Sequence, residues 1–155
     1  MIIAGLQKVT LLDYPGHVAA SLFLAGCNLR CGFCHNRWMI DAASVTPAMT
    51  VEQFLSWLGR RQGLLDGVCV SGGEPTLWGD ELAALLRAIR ALGFATKLDT
   101  NGLRPRDLCA LLDEGLLDYV AMDLKAPLDE RYATLSGCVV DLGRVRESMA
   151  LLRER

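Results

Sequence analysis

Apolar and polar positions along the chain follow two alternating periods. Short apolar runs of strand type occur at Val18–Leu24, Gly67–Val70, Thr96–Leu98 and Tyr119–Met122. Between them, apolar residues recur at i, i+3 and i+4, the spacing of one helix face. Thr50 and Gln53 form a capping box ahead of Val51, Phe54, Leu55 and Leu58. Asp80 precedes a helix with Leu82, Leu85, Leu86, Ile89 and Leu92 on one side, and Gly93 stops it. Leu108, Leu111 and Leu112 mark a third helix that ends near Gly115. Asp141 caps a fourth, which carries Leu142, Val145, Met149 and Leu152.

Strand–helix alternation predicts an α/β fold with parallel strands and right-handed crossovers. Every strand runs into a polar or glycine-rich cluster. The first ends at Ala25-Gly26, the second at Ser71-Gly72-Gly73, the third at Asp99-Thr100-Asn101-Gly102 and the fourth at Asp123-Leu124-Lys125. In a parallel barrel those ends share one face, where chemistry is built, so a partial (β/α) barrel is expected. A doubly wound open sheet obeys a similar rule and is the alternative. Eight βα units take ~250 residues, whereas about four are visible here. The sequence closes inside or at the end of a helix. One domain over residues 1–155 is therefore expected, a barrel shortened after about four units with two strand edges to cover.

Composition narrows the function. A chain of 155 residues has room for one core. Its net charge of -2 speaks for neither nucleic acid nor membrane as a partner. No apolar run reaches the ~20 residues needed to span a bilayer. No signal-peptide layout follows the early Lys8, so a cytosolic location is expected. Six cysteines in such a chain are better read as metal or redox ligands than as a disulfide framework. Cys69, Cys109 and Cys138 stand apart in or beside apolar segments and read as small buried hydrophobes.

The other three crowd together as Cys27-x3-Cys31-x2-Cys34. Structural zinc takes four ligands, commonly from paired spacings, and no second pair is present, although His35 is a conceivable fourth ligand. Three thiolates in one short loop suit a cubane iron–sulfur cluster, with one iron left open. A zinc knuckle or a plain electron-transfer cluster is the non-catalytic alternative.

The segment Cys27-Asn28-Leu29-Arg30-Cys31-Gly32-Phe33-Cys34 resembles the C-x3-C-x2-C signature of the radical S-adenosylmethionine (SAM) superfamily. More narrowly, the stretch from Gly5 to Gly16 and the triplet Cys34-His35-Asn36 are similar to activating proteins of glycyl-radical enzymes, above all the anaerobic ribonucleoside-triphosphate reductase activating type. The resemblance implies a [4Fe–4S] cluster on Cys27, Cys31 and Cys34, with SAM on the open iron. Reductive cleavage of SAM then gives a 5′-deoxyadenosyl radical, with Phe33 near the adenine.

The same resemblance assigns the polar clusters. Gly72, Gly73 and Glu74 match a GGEP motif that contacts the SAM amino group. From the residues alone, the two glycines let backbone approach a ligand closely. Asp99 and Asn101 match a segment of the SAM pocket, against an ordinary Asx turn as the plain reading. Asp123 and Lys125 fall on one side of their strand and suit the zwitterionic end of SAM, against a simple surface ion pair. A monovalent cation beside Asp99, Thr100 and Asp123 is an option that the resemblance also carries.

The implied activity is abstraction of hydrogen from a glycine of a partner glycyl-radical enzyme, with a flavodoxin- or ferredoxin-type electron donor. A short chain without a further substrate domain favours a protein segment as substrate. The alternatives are a radical SAM enzyme acting on a small molecule, and a non-catalytic iron–sulfur or zinc protein.

Overall fold

The computed structural model describes residues 1–155 and begins with a strand that the apolar runs do not announce. β1 (Ile3–Thr10) pairs antiparallel with β2 (Ala19–Leu24). Only Ile3 and Ala4 of β1 are buried, and Gln7 to Val9 are exposed, so it has no apolar run to advertise it. It covers one of the two strand edges that purely parallel strands would leave open. The expectation of parallel strands alone is corrected to that extent.

β3 (Gly67–Gly72), β4 (Ala95–Thr100) and β5 (Tyr119–Met122) follow in parallel, and the sheet order is β1-β2-β3-β4-β5. α1 (Val51–Gly59), α2 (Gly79–Ala91) and α3 (Pro105–Asp113) connect them. The helices bury Phe54, Leu58, Leu86, Ile89 and Leu108 against Leu22, Leu24, Val68, Val70 and Leu98 of the sheet. A doubly wound sheet would reverse its order and carry helices on both faces. This sheet does neither, and its winding is that of part of a barrel.

Local chemistry sets the helix starts. Thr50 and Gln53 make the capping box, and the Asp141 carboxylate accepts from the Gly143 amide at 2.9 Å. α2 begins at Gly79 with no side-chain cap, two residues earlier than expected. Asp80 and Glu81 instead occupy its first turn, where carboxylates suit the positive end of the helix dipole. A short helix absent from the periodic pattern, α4 (Arg131–Ser136), precedes α5 (Leu142–Glu154). Tyr132 of α4 and Val145 of α5 join Leu29, Cys31 and Leu103 in a second, smaller core under the cysteine loop.

The inner face of the sheet differs from the helix-covered one. Register aligns Ser21, Cys69, Lys97 and Tyr119 in one row across β2 to β5. Lys97 is only 5% exposed, although it lies in a strand whose short apolar run gave no sign of an inward ammonium. No helix is long and apolar enough to cross a membrane.

Candidate functional site

The C-terminal ends of the parallel strands open onto a cavity of about 350 Å³. Cys27, Cys31 and Cys34 line it together with Phe33, Gly72, Gly73, Asp99, Asn101, Asp123 and Lys125. These residues come from four separate strand ends, up to 98 positions apart in the chain, yet they share one wall. Among the residues selected from the sequence, Glu74 alone is absent from it. Thr100, Ser71, Asn36, His35, Ile40 and Leu29 complete the lining.

Backbone contacts hold the cysteine loop in place. The Cys27 amide donates to the Ile40 carbonyl at 2.9 Å, and the Arg30 amide donates to Ser136 at 2.9 Å. The Arg30 guanidinium donates to the carbonyls of Cys27 (2.6 Å) and Leu29 (2.9 Å), and that of Arg37 donates to Gly32. The Leu29 amide points at the Cys27 sulfur, 3.4 Å away. All six cysteines are free thiols. Burial pushes the Cys27 and Cys31 thiols up, while the Lys125 ammonium pulls Cys31 back down. No three His, Cys, Asp or Glu side chains converge closely enough for a single metal ion. Tetrahedral zinc needs such convergence. A cubane cluster takes each thiolate on a different iron and accommodates a wider set.

The two glycines of the Ser71-Gly72-Gly73 turn meet protein rather than open space. Gly72 has φ +119°, and a Cβ there would stand 2.4 Å from the Leu24 carbonyl oxygen. A Cβ on Gly73 would stand 2.0 Å from the Gly26 carbonyl oxygen. The Gly73 amide donates to Leu24 (2.9 Å) and the Glu74 amide to Gly26 (2.7 Å). The turn after β3 thus lies directly against the start of the cysteine loop. Glycine at 72 and 73 is therefore required by the neighbouring backbone, whatever ligand the turn also meets.

Glu74 is fully buried. Its carboxylate accepts from the Thr76 amide (3.2 Å), the Thr76 hydroxyl (2.6 Å), the Thr100 hydroxyl (2.7 Å) and the Asn101 amide (2.7 Å). Burial raises its pKa, against the pull of those donors. Glu74 ties the end of β3 to Thr100 and Asn101 at the end of β4, two residues of the cavity lining. Asn101 continues the tie by donating to the Asn28 side chain at 2.7 Å, inside the cysteine loop.

The remaining polar groups meet as pairs. Lys125 donates to Asp123 at 2.7 Å, as expected of two residues on one side of a strand end. Asp99 pairs with the buried Lys97, a partner that the sequence reading missed. Lys97 and Asp99 both lie within 3.5 Å of the Cys69 sulfur. Burial, and then the Asp99 charge, push the Cys69 thiol up to about 12. Since only thiolates alkylate readily and Cys69 is also fully buried, iodoacetamide at pH 8 is expected to leave Cys69 unmodified in the native chain and to label it once the chain is denatured. Peptide mass spectrometry before and after denaturation checks this.

The family model of the radical SAM superfamily matches residues 21–155. A Methanocaldococcus jannaschii protein named as a glycyl-radical enzyme activating enzyme is 35% identical over 83% of this chain and 52% of its own. A 7-carboxy-7-deazaguanine synthase of Hyperthermus butylicus is 35% identical over 59% of this chain and 38% of its own. The crystal structure of Streptococcus suis SuiB bound to S-adenosylmethionine superimposes with a TM-score of 0.59 at 23% identity, covering 86% of this chain and 31% of that one. At that identity the likeness concerns the fold. The chain spans about half the length of the first of these curated relatives. With strand ends, cysteine loop and family match over the same residues, the chain belongs to the radical SAM superfamily.

Proposed function

We propose that this chain carries the radical-generating site of an activating enzyme for a glycyl-radical enzyme. Membership of the family implies a [4Fe–4S] cluster and SAM, and the donor set at the cavity fits both. The observation that carries the reading is the single cavity shared by three free cysteines and three polar strand ends. Bound there, the reduced cluster would supply one electron to the SAM sulfonium and so give a 5′-deoxyadenosyl radical.

The side chains divide the remaining work. Cys27, Cys31 and Cys34 would hold the cluster and leave one iron for SAM. Lys125 and Asp123 offer opposite charges to the carboxylate and ammonium of the methionine end. Asp99 and Asn101 add polar contacts, and Gly72 and Gly73 present backbone without side chains at the floor. Phe33, 52% exposed on the rim, would lie beside the adenine and shield the cysteine loop from water. Glu74 acts as a positioning residue through Thr100 and Asn101.

The rim also supports a protein substrate. Phe33 is exposed in the cavity lining, and Trp38 and Leu124, close in sequence to the lining segments at Asn36 and at Asp123 and Lys125, are exposed too, apolar surface suited to a glycine-bearing peptide loop. Similarity to a protein named for glycyl-radical activation supports the same substrate class. The partner proposed is an anaerobic ribonucleotide reductase of the glycyl-radical kind, and the proposed donor is a flavodoxin- or ferredoxin-type protein.

Anaerobic reconstitution tests the reading. The protein is expected to bind about four irons per chain, to release 5′-deoxyadenosine from SAM after reduction, and to raise a glycyl-radical EPR signal in the partner from the same genome. The likeness to a 7-carboxy-7-deazaguanine synthase favours a second reading, a small-molecule substrate. SAM cleavage without a radical on any glycyl-radical enzyme would select it.

A further inference from the structure

Asp99, Thr100 and Asp123 line the cavity, where the resemblance to activating proteins carries the option of a monovalent cation. An oxygen-liganded cation needs several free oxygens converging on it. In this chain those oxygens are already engaged. One carboxylate oxygen of Asp99 accepts from the Lys97 ammonium, and the other accepts from the Cys69 thiol at 3.5 Å. The Thr100 hydroxyl donates to Glu74 (2.7 Å) and accepts from the Gly102 amide (3.1 Å). The Thr100 carbonyl accepts from the Asp123 amide at 2.9 Å. Asp123 itself pairs with the Lys125 ammonium at 2.7 Å. Each carboxylate has a lysine of its own.

Lys97 is the unusual one of the two. Burying an ammonium is costly unless it is paired and hydrogen-bonded. Its side chain is 6% exposed, with the ammonium 3.5 Å from the Cys69 sulfur and 5.9 Å from the Tyr119 ring centroid. Burial pulls the ammonium down, but the hydrogen bond to Asp99 and the nearby charges outweigh it, so Lys97 keeps its proton through neutral pH. We infer that Lys97 supplies, as a fixed ammonium, the positive charge at Asp99 that a dissociable cation would otherwise provide. Lys97 is a positioning residue. It holds the Asp99 carboxylate in one orientation at the cavity, and its charge repels a metal cation from the same oxygens. Lys97 acts on the SAM site proposed above, and its role there rests on that reading.

The test compares potassium, sodium and tetramethylammonium chlorides at constant ionic strength, the last cation being too bulky to sit among these oxygens. The unsubstituted chain is expected to keep one Tm in all three salts when cluster-free, and one KM for SAM when reconstituted. Stabilisation specific to potassium or sodium, or a higher KM in tetramethylammonium, would overturn the inference. In tetramethylammonium, Lys97→Met is expected to lower Tm by roughly 5 °C. It is also expected to raise the KM for SAM about tenfold with a smaller change in kcat. Potassium or sodium is expected to restore part of both losses; losses that neither salt touches would overturn the inference. Lys97→Met/Asp99→Asn removes both charges and is expected to regain Tm in every salt. A double variant no more stable than Lys97→Met would overturn the inference by showing that Lys97 serves packing alone. An unsubstituted chain that assembles no cluster would remove the proposed function, and the Tm comparison would still decide between Lys97 and a dissociable cation at Asp99.

Discussion

A Cys31→Ala chain, reconstituted anaerobically with iron and sulfide, is expected to lose SAM cleavage by at least about 1,000-fold, or ~4 kcal/mol of barrier. Cys31 is the most enclosed of the three cysteines, 7% exposed and packed against Leu29, Leu103 and Tyr132. Cys27 and Cys34 flank it in the loop and would be left to hold a four-iron cluster with two thiolates. Iron content is expected to fall well below the value for the unsubstituted chain, together with the charge-transfer absorption of the cluster. Cys109→Ser, on α3 and outside the cavity, is expected to keep both. A Cys31→Ala protein with unreduced cleavage would remove the cluster assignment.

Substitution of Glu74 is expected to give the largest loss of stability at the site, with no cofactor present. Glu74→Ala deletes an acceptor shared by four buried or part-buried donors, from Thr76, Thr100 and Asn101. Stranded donors cost about 1–3 kcal/mol each in the buried state. A loss of about 3–5 kcal/mol follows for Ala, a large share of the ~5–15 kcal/mol that holds a domain together. Glu74→Gln replaces one acceptor oxygen with a donor facing other donors, and is expected to cost about 1–3 kcal/mol. Denaturant titration of the cluster-free protein checks the order. Unchanged midpoints with weakened SAM binding would instead mean a direct contact between Glu74 and the cofactor.

Glu74 also shows how far residue patterns reach. The strand ends were legible because short apolar runs stop abruptly at Gly26, Gly72, Asp99 and Asp123. The side chains of Asp123 and Lys125 were legible because alternation puts both on one side. The direction of Glu74 was not, since its partners Thr100 and Asn101 lie 26 and 27 positions away and no local rule connects them. Lys97 was hidden by the same limit: in Thr96–Leu98 it looks like an interruption of an apolar run. Only strand pairing, which sets it beside Cys69 and Tyr119, explains its burial. β1 escaped notice because an edge strand buries little. Tyr132 escaped because a six-residue helix has too few turns to show a period.

The contact between Gly73 and Gly26 has a consequence for how such sites can be altered or transplanted. With a prospective Cβ only 2.0 Å from a carbonyl oxygen, position 73 admits one amino acid unless the cysteine loop itself moves. The two motifs are therefore a single mechanical part assembled from two distant stretches of chain. A designer who grafts the cysteine loop into another barrel must bring the glycine turn with it, in register, or the loop will lose its seat.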